Sequence, residues 1–422
     1  MPAIEQRNRA PASLALNNLR GLVILIVIAF HSAIAYLASS PDTAFAFDLS
    51  PYKWRAFPII DSHRWIGFDL FCAWQDVYLM ALMFFLSALF TWPSLTRKGS
   101  SFFLRDRVLR LGVPFVLALV VIMPIALYPV YRMSATDPGL TGYARHYLAL
   151  PFWPNGPMWF IWQLLTLTFL AAALHRLAPG LVAALSRFAS SATIHPGRFF
   201  AGLVAASALA YVPMALIFTP WSWNEHGLVA LQYSHALLYL VYYLAGLGVG
   251  AYGLERGLLQ AGGMLARNWR YWCAASFLSV MLWMGLTALI MNYRFAAPLP
   301  LRLASDTSYA IACGCGCFFV MAASLRFLTR RSRMLDSLAA NSFSMYLFHY
   351  IFVVWLQYAL LGSDLFAFAK AAIVFSVTAI LSWATASAMD ILPYWRRFIS
   401  ATGSPLARAP SGAGQFAGRT QA

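Results

Sequence analysis

NLRGLVILIVIAFHSAIAYLASS, residues 18–40, is an apolar run broken by two ionisable groups, Arg20 near its start and His31 in its middle. As a helix it extends about 35 Å at 1.5 Å per residue, more than the roughly 30 Å hydrocarbon core of a bilayer. It is too long for the apolar part of a secretory leader, even with Arg7 and Arg9 ahead of it. The run therefore reads as a membrane-spanning helix. Nine more candidates follow at 67–92, 109–130, 158–175, 199–219, 232–253, 271–291, 306–325, 343–361 and 366–391. In lipid every backbone N–H and C=O must find an internal partner. The expected fold is all-α, a polytopic transmembrane helical bundle of about ten spans.

Composition agrees. Charged residues make up 10% of the chain and hydrophobic ones 61%, against roughly 25% charged in soluble domains. The excess of 30 Lys+Arg over 14 Asp+Glu forms no stripe of the kind that grips nucleic acid. Instead, 22 of the 30 basic residues fall in segments on one side of the predicted spans. That bias predicts both termini in the cytoplasm. The organisation expected is a cytoplasmic segment at 1–13, a membrane domain at 14–392 and a tail at 393–422. The tail is rich in Ala, Gly, Pro and Arg and reads as disordered. Five cysteines, an odd number in or beside apolar runs, argue against a disulfide framework. The CGCGC at 313–317 lacks a nearby His and reads as small residues for close helix packing, not as a metal site.

Ionisable groups inside spans are expensive and mark candidate function. Arg20 and His31 are eleven residues apart, within about 20° of three full helical turns, so they share a face about 16 Å apart. Asp69 and Asp76 share a face of the second span, and Asp76 falls close to the depth of His31. An Asp76–His31 pair is therefore expected, the carboxylate orienting the imidazole as a general base. In the segment RKGSSFFLRDRVLRLGVP after the second span, Arg105, Arg107 and Arg110 cluster as a phosphate site in an inner loop. His63, His146, His226 and His235 fall near span ends and have weaker claims.

Taken in order, four blocks resemble the acyltransferase-3 family of integral membrane acyltransferases. LRGLVILIVIAFH at 19–31 resembles its first-span signature, an Arg followed by a His. MFFLSALF at 83–90 leads into RDRVLRLGVP at 105–114, GPMWFIWQLL lies at 156–165, and NSFSMYLFHY at 341–350. The RVLRLGVP stretch looks like the branch of the periplasmic glucan succinyltransferases. One departure is Ala88, where the family usually has Gly, at a position that governs helix approach.

The resemblance implies transfer of an acetyl or succinyl group from cytoplasmic acyl-CoA, a donor substrate, to a hydroxyl of an extracytoplasmic or lipid-linked glycan. No tightly bound cofactor is expected. Arg20 and His31 match the signature pair, and the resemblance favours Arg105 to Arg110 as part of the donor site. Asp76 rests on depth alone. Trp159, Trp162 and Tyr346 are candidate donors to the developing oxyanion, and with His349 they form the expected substrate-binding set. Ser87 and Ser344 are spare nucleophiles that read first as packing hydroxyls, and direct attack and an acyl-enzyme both stay open. The expected location is the cell membrane, a bacterial inner membrane. A proton-coupled transporter or flippase of glycan precursors is the rival reading, resting on ten spans and an intramembrane His–Asp pair.

Overall fold

The computed structural model describes residues 11–224, 226–293 and 296–391, so the tail expected at 393–422 lies outside the described residues. Thirteen helices carry the fold: α1 (Pro11–Ala33), α2 (Ile66–Ala88), α3 (Thr91–Lys98), α4 (Ser100–Arg132), α5 (Leu140–Ala149), α6 (Trp159–Leu177), α7 (Pro179–Ser190), α8 (Pro196–Phe218), α9 (Ala236–Tyr252), α10 (Trp269–Asn292), α11 (Leu299–Phe327), α12 (Arg333–Ala359) and α13 (Ala367–Met389). Nine stretches among the described residues are long and apolar enough to cross a membrane, and α9, shorter at 17 residues, makes the tenth. The chain is an all-α membrane bundle.

Burial sorts the helices. Two thirds of the most apolar window of α11 is buried inside the protein (67%), against 17% in α10 and 22% in α8. Helices equally apolar on all sides but buried on so little of their surface turn the remainder to lipid. α1, α2, α11 and α12 form the centre, with α1 lying along α12 and α2 against α9 and α11.

The α2–α9 crossing is close because α9 presents glycines. A Cβ on Gly246 meets the Phe85 carbonyl at 2.3 Å, and one on Gly250 meets the Leu89 carbonyl at 2.1 Å. No other residue fits there. Ala88, fully buried, sits at this crossing, 3.0 Å from the position of a Gly246 Cβ. A glycine on α9 thus supplies the room that the alanine on α2 takes up.

Helix α4 contains two π turns, Val108–Gly112 and Ala118–Ile122, each followed two residues later by a proline, Pro114 and Pro124. The Met123 N–H bonds to the Ala118 carbonyl, so the Leu119 carbonyl would need an N–H at position 124, where Pro has none. The Trp153 indole donates to it instead, at 2.9 Å. Pro129 strips the Ile125 carbonyl of its partner in the same way, and Trp355 Nε1 replaces it at 2.9 Å. Two tryptophans from elsewhere complete the backbone bonding of one proline-rich helix.

The loops gather at two ends. At one end, Ser13 Oγ donates to Glu255 at 2.7 Å, and Asn18 Nδ2 to the Leu328 and Arg330 carbonyls at 2.7 and 2.9 Å. At the other, Asp69 accepts from the Ala38 and Ser39 N–H groups at 2.7 and 3.0 Å. Lys370 reaches Asp61 there at 2.8 Å, with neither side chain exposed. His63 Nδ1 lies 3.3 Å from each of them.

Candidate active site

The α1 helix begins at Pro11, earlier than the expected 18, and its regular part ends at Ala33. His31 therefore lies in its last turn, nearer the Asp69 end of the bundle than the expected midpoint. Ile24 and Val27, on the same face between Arg20 and His31, are buried, so this face turns into the protein and away from lipid. Arg20 itself is exposed at the arginine-rich end.

His31 Nδ1 is 2.8 Å from the Val27 carbonyl. A carbonyl only accepts, so Nδ1 carries the proton and Nε2 keeps its lone pair. The ring packs edge-on against His349 at 5.0 Å between centroids, against Tyr350 at 5.7 Å and Phe30 at 5.4 Å. Gln357, buried on α12, donates to the His31 and Ser32 carbonyls at 2.9 and 3.3 Å. These are last-turn carbonyls that the helix leaves without partners. Gln357 thus pins the segment that carries His31.

The block at 156–165 meets this centre from the other side. Tyr346 donates its hydroxyl to the Pro157 carbonyl, and its ring lies 5.7 Å from His349. Gly156 holds φ +47°, and a Cβ there meets Met123 Cε at 2.5 Å and Tyr350 Cε1 at 3.2 Å. Asn155, buried, donates to the Trp153 and Leu228 carbonyls at 2.5 and 3.2 Å and accepts from Ala230 N at 3.3 Å. The loop before α6 is thereby tied to the loop before α9.

Of the predicted residues, His31, Tyr346 and His349 come together; others do not. The Asp76–His31 pair is not formed: among the described residues Asp76 makes no hydrogen bond or ion pair. Residue counting gave its depth along α2 but not its direction about the axis, and α2 packs chiefly on α9 and α11 and more lightly on α1. The transporter reading loses one of its two supports, the pair. Trp159 stacks on Tyr239 at 5.8 Å and Trp162 on Phe115 of α4 at 6.3 Å, while the ring partners of His31 are Phe30, His349 and Tyr350.

The basic segment is not a loop. α3 and α4, joined at Gly99 with φ +75°, make it helical, so its arginines are fanned around an axis. Arg105 is exposed. Arg110 Nε is held by Asp106 at 2.8 Å, with Lys98 on the other carboxylate oxygen at 3.1 Å. Arg107 turns inward over Phe103 at 5.1 Å, and its buried Nε has no hydrogen-bond partner among the described residues.

His235, given a weak claim, is fully engaged, with Nδ1 2.8 Å from Ser234 Oγ and Nε2 2.8 Å from the Tyr309 hydroxyl. Cys317 Sγ reaches the Tyr78 carbonyl at 3.7 Å, and Gly316 makes room for the Tyr78 ring, so the cysteine run serves the α2–α11 contact. Gln357, Tyr350 and Asn155 were missed from sequence. Gln357 alone left a trace, an amide two turns beyond His349 in the apolar run HYIFVVWLQ.

A family model described as an acyltransferase domain matches residues 13–387. No curated protein and no solved structure matches the chain.

Proposed function

This chain belongs to the acyltransferase-3 family, a membrane acyltransferase by its matched domain and its apolar helices, and we propose that it acylates glycans with His31 as the general base. The donor is acyl-CoA from the cytoplasm, and the acceptor is a hydroxyl of an extracytoplasmic or lipid-linked glycan; the membrane is a bacterial inner membrane. One observation carries the reading. The Val27 carbonyl holds the proton of His31 on Nδ1, leaving Nε2 basic, on a buried helix face whose other end bears Arg20.

The chemistry balances within the pair of substrates. Nε2 of His31 takes the proton of the acceptor hydroxyl as its oxygen attacks the thioester carbon. The C–S bond breaks, and the proton passes from the imidazolium to the departing thiolate. Arg20 and Arg107 hold the donor phosphates at the arginine-rich end, the inward Nε of Arg107 supplying a donor that has no protein partner among the described residues. The uncharged arm of the carrier then spans the interval of about 16 Å to His31. Acetyl and succinyl are both compatible with this arrangement.

The test is a His31→Ala strain. Mass spectrometry of its periplasmic and surface glycans should show loss of the acyl mass at normal protein level and normal glycan export. Unchanged acylation removes His31 as base.

A further inference from the structure

His349, on α12, is completely buried, and its Nδ1 is 2.7 Å from the Tyr346 carbonyl. As with His31, the carbonyl assigns the proton to Nδ1 and leaves Nε2 an acceptor. That Nε2 has no partner among the described residues. The groups around it do not supply one. Tyr346 has given its hydroxyl to Pro157, and His31, 5.0 Å away between ring centroids, has its only N–H on Val27.

The two imidazoles, 5.0 Å apart between centroids, thus each keep an acceptor nitrogen, and that of His349 has no donor among the described residues. A guest that brings two hydrogens satisfies both acceptors. A water does so, but its attack on the donor ends in hydrolysis and no ester. A lone alcohol brings one hydrogen and leaves one imidazole unsatisfied. Two neighbouring hydroxyls of a sugar ring bring two.

We infer that His349 Nε2 is a subsite for the acceptor sugar, taking a hydrogen bond from the hydroxyl next to the one that His31 deprotonates. This rests on His31 being the general base. His349 then selects a vicinal diol and fixes which of its two hydroxyls is acylated. It exchanges no proton with the substrate.

The experiment uses the full-length protein in cells that make its glycan. His349→Phe keeps a ring and removes the acceptor, and His349→Gln restores a carbonyl oxygen near the position of Nε2. Protein level is followed by immunoblot, ester content by mass spectrometry and ester position by NMR of the purified glycan. Expected is a loss of at least about tenfold in ester content for His349→Phe, with the residual ester spread over more than one position. His349→Gln should retain the wild-type position at higher occupancy than His349→Phe. Should His349→Phe fail to reach the membrane, His349→Leu takes its place.

Three results overturn the subsite: His349→Phe with unchanged amount and position, Gln and Phe variants equally impaired at equal protein level, or an acyl amide product, since one amine supplies both hydrogens. The His31→Ala strain separates the two claims. If it still acylates, the general-base reading fails; if it does not while His349→Phe is normal, only the subsite fails.

Discussion

His31 is oriented by backbone, not by a carboxylate. The Val27 carbonyl and the Gln357 amide do what Asp76 was expected to do, and both act on the last turn of α1. Replacing Gln357 by Leu removes the donor from two carbonyls and lets that turn shift. The expected result is a fall of about ten- to a hundredfold in kcat, with the donor KM unchanged. Asp76→Asn should stay within about threefold of wild type, far from the loss of a general base. Steady-state thiol release from acyl-CoA in membrane vesicles measures both. At this scale the sequence announced the His and the Arg, because ionisable groups in apolar runs stand out. Their partners were invisible. A carbonyl has no residue letter, and a helix wheel gives height and relative azimuth within one helix without saying which neighbour lies opposite.

The helices show the same division. Length and hydropathy marked all ten spans, while Pro114, Pro124 and Pro129 only hinted at trouble in α4. How that trouble is resolved depends on Trp153 and Trp355, which come from distant parts of the chain. Trp153→Phe keeps the ring and deletes the indole N–H, leaving the Leu119 carbonyl without its donor. It should cost about 1–3 kcal/mol, read as a lower thermal midpoint in detergent relative to wild type. The basic segment was misread for a related reason. Charge density suggests a loop, but α3 and α4 have no helix breaker between them except Gly99, and lipid-facing amphipathic turns carry arginine without difficulty. Fanned about a helix, Arg105, Arg107 and Arg110 cannot close on a single phosphate, which leaves Arg107 as the inward member.

For the molecule as a whole, the bias of basic residues predicts which end faces the cytoplasm, and the loop contacts at the two ends agree with an even number of crossings. Gly180 and Gly362 lie exposed at opposite ends, with open space where a Cβ would go. After Cys273→Ser, which removes the one cysteine that is not buried, Gly180→Cys and Gly362→Cys provide single accessible thiols. A membrane-impermeant maleimide added to spheroplasts should label Cys at 362 and not at 180, with the reverse in inverted vesicles. Labelling of both from one side contradicts the ten-span count.

The placement of His31 along α1 has a consequence for substrate choice. Eleven residues separate it from Arg20, and only five separate it from Tyr36, where the helical winding ends. On the proposed reading this asymmetry works as a gauge for the carrier. Whatever is anchored at the arginines has to reach the imidazole with its own tether, while the partner from the far side travels almost no distance. Donors with different acyl heads can then trade places without any rebuilding of the anchor, but a tether shortened by one helical turn leaves its thioester stranded short of the base.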